Sequence, residues 1–150
     1  MNDNSMAARI QNRLTLMREY APDTIGDMLH LELVSCDEEN GEYTLRSQTQ
    51  DWMRNVAGTL HGGMGATLAD QAMGLVAYCL KEDPGVTATI SMQLNYHRPL
   101  HPGQDVLLRV RVVSVTKSLI SLAVETMQAS GPDKICLTGS ATYFYKPQNA

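Results

Sequence analysis

From His61 to Leu80 the chain carries a single formally charged side chain, Asp70. Around it, Met64, Leu68, Ala69, Ala72, Met73, Leu75, Val76, Ala77, Cys79 and Leu80 cover nearly the whole circumference of a helix. That spacing predicts a helix over about 62–81, apolar all round and enclosed by sheet on most sides, with Asp83-Pro84-Gly85 as its stop. It is the sole candidate for a membrane span. His61, Asp70, Gln71 and four glycines suit a buried helix of a soluble domain better. A carboxylate in that setting is costly unless paired or hydrogen-bonded. Two readings of Asp70 stand at this point: a structural carboxylate bonded to backbone or a neighbouring Thr, or a functional one.

The entry to the helix, Asn55-Val56-Ala57-Gly58-Thr59-Leu60-His61-Gly62-Gly63-Met64-Gly65, bears on the choice. Glycines admit a ligand close to the backbone, and a helix N-terminus presents unpaired N–H donors and the positive end of the dipole. Such a place suits a phosphate or a developing oxyanion, while the glycines taken alone fit a tight turn and close packing. A P-loop is excluded because no GK[ST] ending follows, and a dinucleotide fingerprint fails at Leu68. Gly62 and Asp70 are eight residues apart, roughly 12 Å along a helix axis. Both cannot reach the same carbonyl from one chain. If both act, a second chain brings one of them, and a two-fold dimer forms two equal sites.

Elsewhere the pattern predicts an amphipathic helix over Ser5–Tyr20, with Met6, Ile10, Leu14 and Met17 on one stripe and Arg9, Arg13 and Arg18 outside it. Strands are expected at 28–36 and 41–49 around an Asn40-Gly41 turn, then over Val86–His97, Asp105–Val115, Leu119–Gln128 and Lys134–Tyr145. Short turns between successive strands favour an antiparallel meander. The expected class is α+β, a single domain with residues 1–27 as an N-terminal helical extension and 28–150 as the domain proper.

At 150 residues the chain is long enough to bury its own core. Its net charge of −4 gives no field for nucleic acid, although residues 76–150 hold seven bases against five acids and can meet a small polyanion. Cys36, Cys79 and Cys136 are far apart and odd in number, which excludes a disulfide framework or zinc ribbon and fits a reducing cytoplasm, as does the lack of a basic-then-apolar leader. They read as packing residues. His97 and His101 are separated by Pro99 and backed by Pro102, so no helix brings them together, and no metal site is expected. Met64, Met73 and Met92 fit core filling or the lining of an adaptable pocket, and Trp52 and Tyr96 fit ordinary packing or the flank of a ligand. There is no GxSxG nucleophile elbow.

The set Asn55-x2-Gly58-x2-His61-Gly62-Gly63-x4-Leu68-Ala69-Asp70, followed by four strands, resembles the signature of hotdog-fold acyl-CoA thioesterases, in their PaaI-like and Them2-like branch. The likeness runs over about residues 28–145. It implies a hotdog fold, an antiparallel sheet wrapped around the central helix, and protomers paired edge to edge as homodimers or homotetramers. It further implies an acyl-CoA substrate and no separate cofactor. By position, Gly62 N–H would polarise the thioester carbonyl with Asn55 helping to hold it, and His61 would orient the loop. Asp70 of the partner subunit would act as general base or nucleophile, and Thr89 would position the water. Gly63, Arg98 and Lys117 are the candidates for holding the substrate. A hotdog domain that binds an acyl thioester without turnover, and a hotdog dehydratase or hydratase, are the rival readings.

Overall fold

The computed structural model describes residues 3–149, so the outermost ends of the expected 1–27 extension and 28–150 domain lie outside the described residues. Helix α1 (Met6–Tyr20) begins where Ser5 Oγ accepts the Ala8 N–H at 3.2 Å, satisfying one of the donors left open at a helix start. Its buried stripe of Met6, Ile10 and Leu14 belongs to the main core. A single helical turn, α2 (Ile25–Met28), follows. Residues 28–30, expected in the first strand, form the end and exit of this turn, where His30 takes φ +48.

Six strands form one antiparallel sheet: β1 (Leu31–Asp37), β2 (Glu42–Gln48), β3 (Gly85–Tyr96), β4 (Asp105–Val115), β5 (Leu119–Gln128) and β6 (Ile135–Pro147). Their spatial order is β1-β2-β4-β5-β6-β3. The expected simple meander therefore holds only for β4-β5-β6. Both flanks of β4 are taken by β2 and β5, so β3 pairs with β6 at the far edge instead of with its sequence neighbour. Helix α3 (Gly62–Cys79) lies against β2 through β6 and fills the concavity of the sheet. The hotdog arrangement that the resemblance implied is the fold observed.

The helix is covered on most sides, as expected, and partly open along one: Leu68, Ala69, Ala72, Met73 and Val76 have no exposure, while Thr67, Asp70, Gln71, Gly74 and Tyr78 form a half-buried stripe at helical spacing. Asp70 sits on that stripe. In β3 the expected single alternation of Val86, Ala88, Ile90, Met92 and Leu94 breaks at a bulge between Thr89 and Ser91. Before it the odd residues face the helix; after it the even residues Met92 and Leu94 pack on the core, while Val86 and Ile90 are exposed. One extra residue reverses which face each side chain takes. The bulge lets Thr89 and Tyr96 both face α3.

The β3–β6 pairing depends on Gly139, where a Cβ would stand 2.8 Å from the Gln93 carbonyl oxygen and run into the Leu94 side chain. Gly139→Ala is expected to cost about 1–3 kcal/mol through this overpacking, read as a lower midpoint in thermal unfolding.

Candidate active site

The loop before α3 is knotted by Asn55. Its Oδ1 accepts the Ala57 and Thr59 N–H groups at 3.0 and 3.1 Å, and its Nδ2 donates to Thr59 Oγ1 at 2.8 Å. Gly58 closes this turn at φ +82, a conformation that favours glycine. The loop is fixed at its end by Leu60 N–H on the Leu100 carbonyl and His61 N–H on the Met53 carbonyl, both at 2.8 Å.

His61 caps the helix with its ring: Nδ1 accepts the Gly63 N–H at 2.9 Å, which places the ring proton on Nε2. A Cβ at Gly63 would lie 3.1 Å from that Nδ1, so the glycine is what allows the ring to close in. The Gly63 donor, expected as a substrate contact, is thus consumed inside the chain. Among the described residues the Gly62 N–H has no acceptor. A Cβ at Gly62 would meet only the Tyr96 ring at 3.8 Å, an ordinary contact. Packing within the chain does not demand glycine there; close approach of another molecule to the backbone would. Tyr96 donates to the Gly62 carbonyl at 2.6 Å and so holds the following peptide, whose N–H is the one of Gly63 that His61 caps.

Asn55, His61, Gly62, Tyr96 and Arg98 line one cavity of about 360 Å³. Arg98 Nη1 also donates to the Ile135 carbonyl at 2.8 Å. Asp70 and Thr89 line another, of about 210 Å³, with Tyr143, Gln71, Arg13 and Met17. Here Oδ1 of Asp70 accepts from Thr89 Oγ1 at 2.8 Å and from the Tyr143 hydroxyl at 2.7 Å, while Oδ2 has no partner among the described residues. The two cavities share no lining residue. Gly62 and Asp70 thus face separate cavities, in keeping with their eight-residue spacing on α3.

Lys117 lies outside both cavities. It sits in the β4–β5 turn, where Lys81 Nζ donates to the carbonyls of Thr116 and Lys117. Strand β3 starts at that end of the sheet and finishes just before Arg98, so the two basic residues are separated by roughly 35 Å of strand. Nearer to Arg98 are His101 and Lys134, which line an adjoining cavity of about 370 Å³ with no carboxylate among its lining residues. The separate positions of His101 and Lys134 in the sequence hide this grouping.

The remaining candidates pack in the core or are held by local hydrogen bonds. Met73 is fully buried, and Met64 and Met92 pack against the core. The Trp52 indole donates to Gln50 Oε1 at 2.9 Å and lines neither cavity. Burial pushes the Cys79 thiol up to about 12, so it holds no thiolate to act as a nucleophile. His97 Nε2 is bonded to Thr138 Oγ1 at 2.7 Å. Among the described residues no group of three His, Cys, Asp or Glu could hold a metal ion, and no helix is long and apolar enough to cross a membrane.

Arg13 and Tyr143 escape the sequence reading. Arg13 falls outside the apolar stripe of α1, yet it lines the Asp70 cavity and stacks 4.3 Å over the Tyr78 ring. Tyr143 lies 73 residues from Asp70 in a strand whose alternation marks it only as core.

A family model described as the thioesterase superfamily matches residues 57–135. Acyl-coenzyme A thioesterase 13 of Homo sapiens is 30% identical over 93 residues, which span 61% of this chain and 65% of that protein. The Mus musculus protein of the same name is 31% identical over 72 residues, 47% of this chain and 50% of its own length. The chain thus covers just under two thirds, or less, of these curated relatives. Among solved structures, a putative thioesterase related to phenylacetic acid degradation from Ralstonia eutropha superposes with a TM-score of 0.76 at 22% identity, covering 91% of this chain and 98% of that one. The E. coli PaaI protein gives 0.76 at 17% identity, with 95% and 96% covered. Thioesterase superfamily member 2 from Mus musculus gives 0.74 at 23%, with 93% and 97% covered. These structures share its fold.

Proposed function

This chain belongs to the thioesterase superfamily, and on that premise we propose that it hydrolyses an acyl-CoA thioester to the free carboxylic acid and CoA. The observation that carries the reading is the pair of half-sites on α3: a helix-start N–H with no acceptor, and, two turns on, a carboxylate with one oxygen held and the other open. A thioester needs little more. Its carbonyl is electrophilic and its thiolate leaves with little protonation, so one oxyanion donor and one base suffice. Water attacks the carbonyl carbon as Asp70 takes its proton, the Gly62 N–H stabilises the oxyanion, and collapse breaks the carbon–sulfur bond to release CoA thiolate. Direct attack by Asp70, giving an acyl anhydride that water then opens, uses the same groups. Asn55 and His61 keep the Gly62 peptide in place.

The two halves meet through dimerisation. Strand β3 forms an open sheet edge, and its twelve residues, Gly85–Tyr96, include no Lys, Arg, Asp or Glu. A long uncharged edge is a template for another strand. The other edge is blunted, since β1 carries Glu32 and Asp37, contains a bulge and is covered by α1. Antiparallel β3 pairing in a register that sets Thr89 of one strand near Tyr96 of the other brings Asp70 of the partner subunit toward Gly62. The same register carries the Lys117 turn of the partner subunit toward Arg98. The CoA phosphates then lie over Arg98, His101 and Lys134.

The test is thiol release from a panel of aryl-, short- and long-chain acyl-CoAs. No release above background on any of them overturns the assignment. Arg98→Ala and Lys134→Ala are expected to raise KM for acyl-CoA several-fold, more so at low salt, and to leave KM for the matching acyl-pantetheine thioester unchanged, because that substrate lacks the phosphates.

A further inference from the structure

We propose that Tyr143 is a positioning residue for the Asp70 half-site, gripping the carboxylate through Oδ1 so that Oδ2 is the oxygen that meets the reacting water or carbonyl. The inference rests on the thioesterase reading and adds to it a residue and an atom-level role. Its basis is geometric. Tyr143 is 2% exposed, and its hydroxyl lies 2.7 Å from Asp70 Oδ1 and 2.9 Å from the Asp70 backbone oxygen. The phenol has one hydrogen, which the two acceptors share, with Oδ1 the nearer. Thr89 Oγ1 lies 2.8 Å from the same Oδ1.

These two donors are not independent accidents of packing. Thr89 and Tyr143 are register partners across the β3–β6 pair, so their side chains leave the sheet together on the helix side. The bulge that follows Thr89 confines this parity to the first half of β3. One turn along α3, Gly74 gives the Tyr143 ring its space: a Cβ there would already touch the ring at 3.4 Å. Two hydroxyls thus hold one carboxylate oxygen from the sheet, and the other has no partner among the described residues.

The phenol is suited to the task. Burial first, and then its bond to Asp70, push its ionisation far above the ordinary tyrosine value, so it remains a donor across the working range. Thr89, whose hydroxyl hydrogen goes to Asp70, shares the orienting work and can still accept a hydrogen from water.

Tyr143→Phe keeps the ring and removes only the donor. The expected result is a fall in kcat of about tenfold or more with KM within about twofold and an unfolding midpoint near that of the wild type. In an Asp70→Asn background the same substitution should have little further effect, because a positioning residue acts only through the group it positions. Wild-type kcat in Tyr143→Phe, or an equal loss in both backgrounds, overturns the proposal. A readout independent of turnover is the carboxyl-carbon NMR resonance of Asp70. It should move on Tyr143→Phe, and a resonance that stays in place would also reject the role, whatever the substrate proves to be. Thr89→Val, which removes the other donor to Oδ1, is expected to shift the resonance in the same sense and serves if Tyr143→Phe does not fold.

Discussion

Asp70→Asn lowers kcat by about 10²–10⁴-fold in a thiol-release assay, with KM little changed, if Asp70 is the base or nucleophile. The substitution is close to isosteric. Thr89 and Tyr143 still find a carbonyl oxygen at the position of Oδ1, so the fold and the orientation of the group are kept. What changes is the other, unbonded oxygen, which becomes an amide nitrogen that neither accepts a proton nor attacks a carbonyl. The loss therefore falls on the chemical step. An Asp70→Asn protein with wild-type turnover would return Asp70 to the structural reading that its burial alone permits. A rise in KM at constant kcat would assign it to substrate binding.

Much of this site is legible in the sequence because it is local. His61, Gly62 and Asp70 lie on one helix, and helical rise alone separates a helix-start donor from the carboxylate by roughly 12 Å. Asn55 and Gly58 stand within a few residues of the helix start, where they close a turn. The rest depends on register, which the apolar pattern leaves open. Alternation in β3 suggests one continuous face, yet the extra residue at Ile90 turns Val86 outward and keeps Thr89 inward. No local pattern marks that bulge. Tyr143 then becomes visible only once β3 is known to pair with β6 instead of β4. The same crossover puts Lys117 and Arg98 at opposite ends of the sheet and brings His101 and Lys134 beside Arg98. Arg13 was obscured differently: its charge marks the solvent side of α1, but its long stem lets the guanidinium stack on Tyr78 at the mouth of the Asp70 cavity.

Gly62→Pro tests the other half-site, and the backbone permits it. Gly62 is the first residue of α3, the position at which proline is best tolerated because its missing N–H has no partner in the helix. His61 before it has ψ 134, well away from the helical value that a following proline disfavours. The nearest neighbour of a new Cβ is the Tyr96 ring at 3.8 Å. The substitution thus removes the proposed oxyanion donor and little else, and kcat should fall about 10²–10³-fold with stability nearly intact. A Gly62→Pro protein that folds and turns over at the wild-type rate would show that this N–H does not meet the oxyanion. Mixing it with Asp70→Asn then addresses the shared site. In a mixed two-fold dimer, one site combines both lesions and the other combines neither, so random exchange of subunits should restore about a quarter of wild-type activity. The exchange is verified by native mass spectrometry before the assay. Mixed dimers with no recovered activity would mean that Gly62 and Asp70 do not serve one reaction centre across the interface.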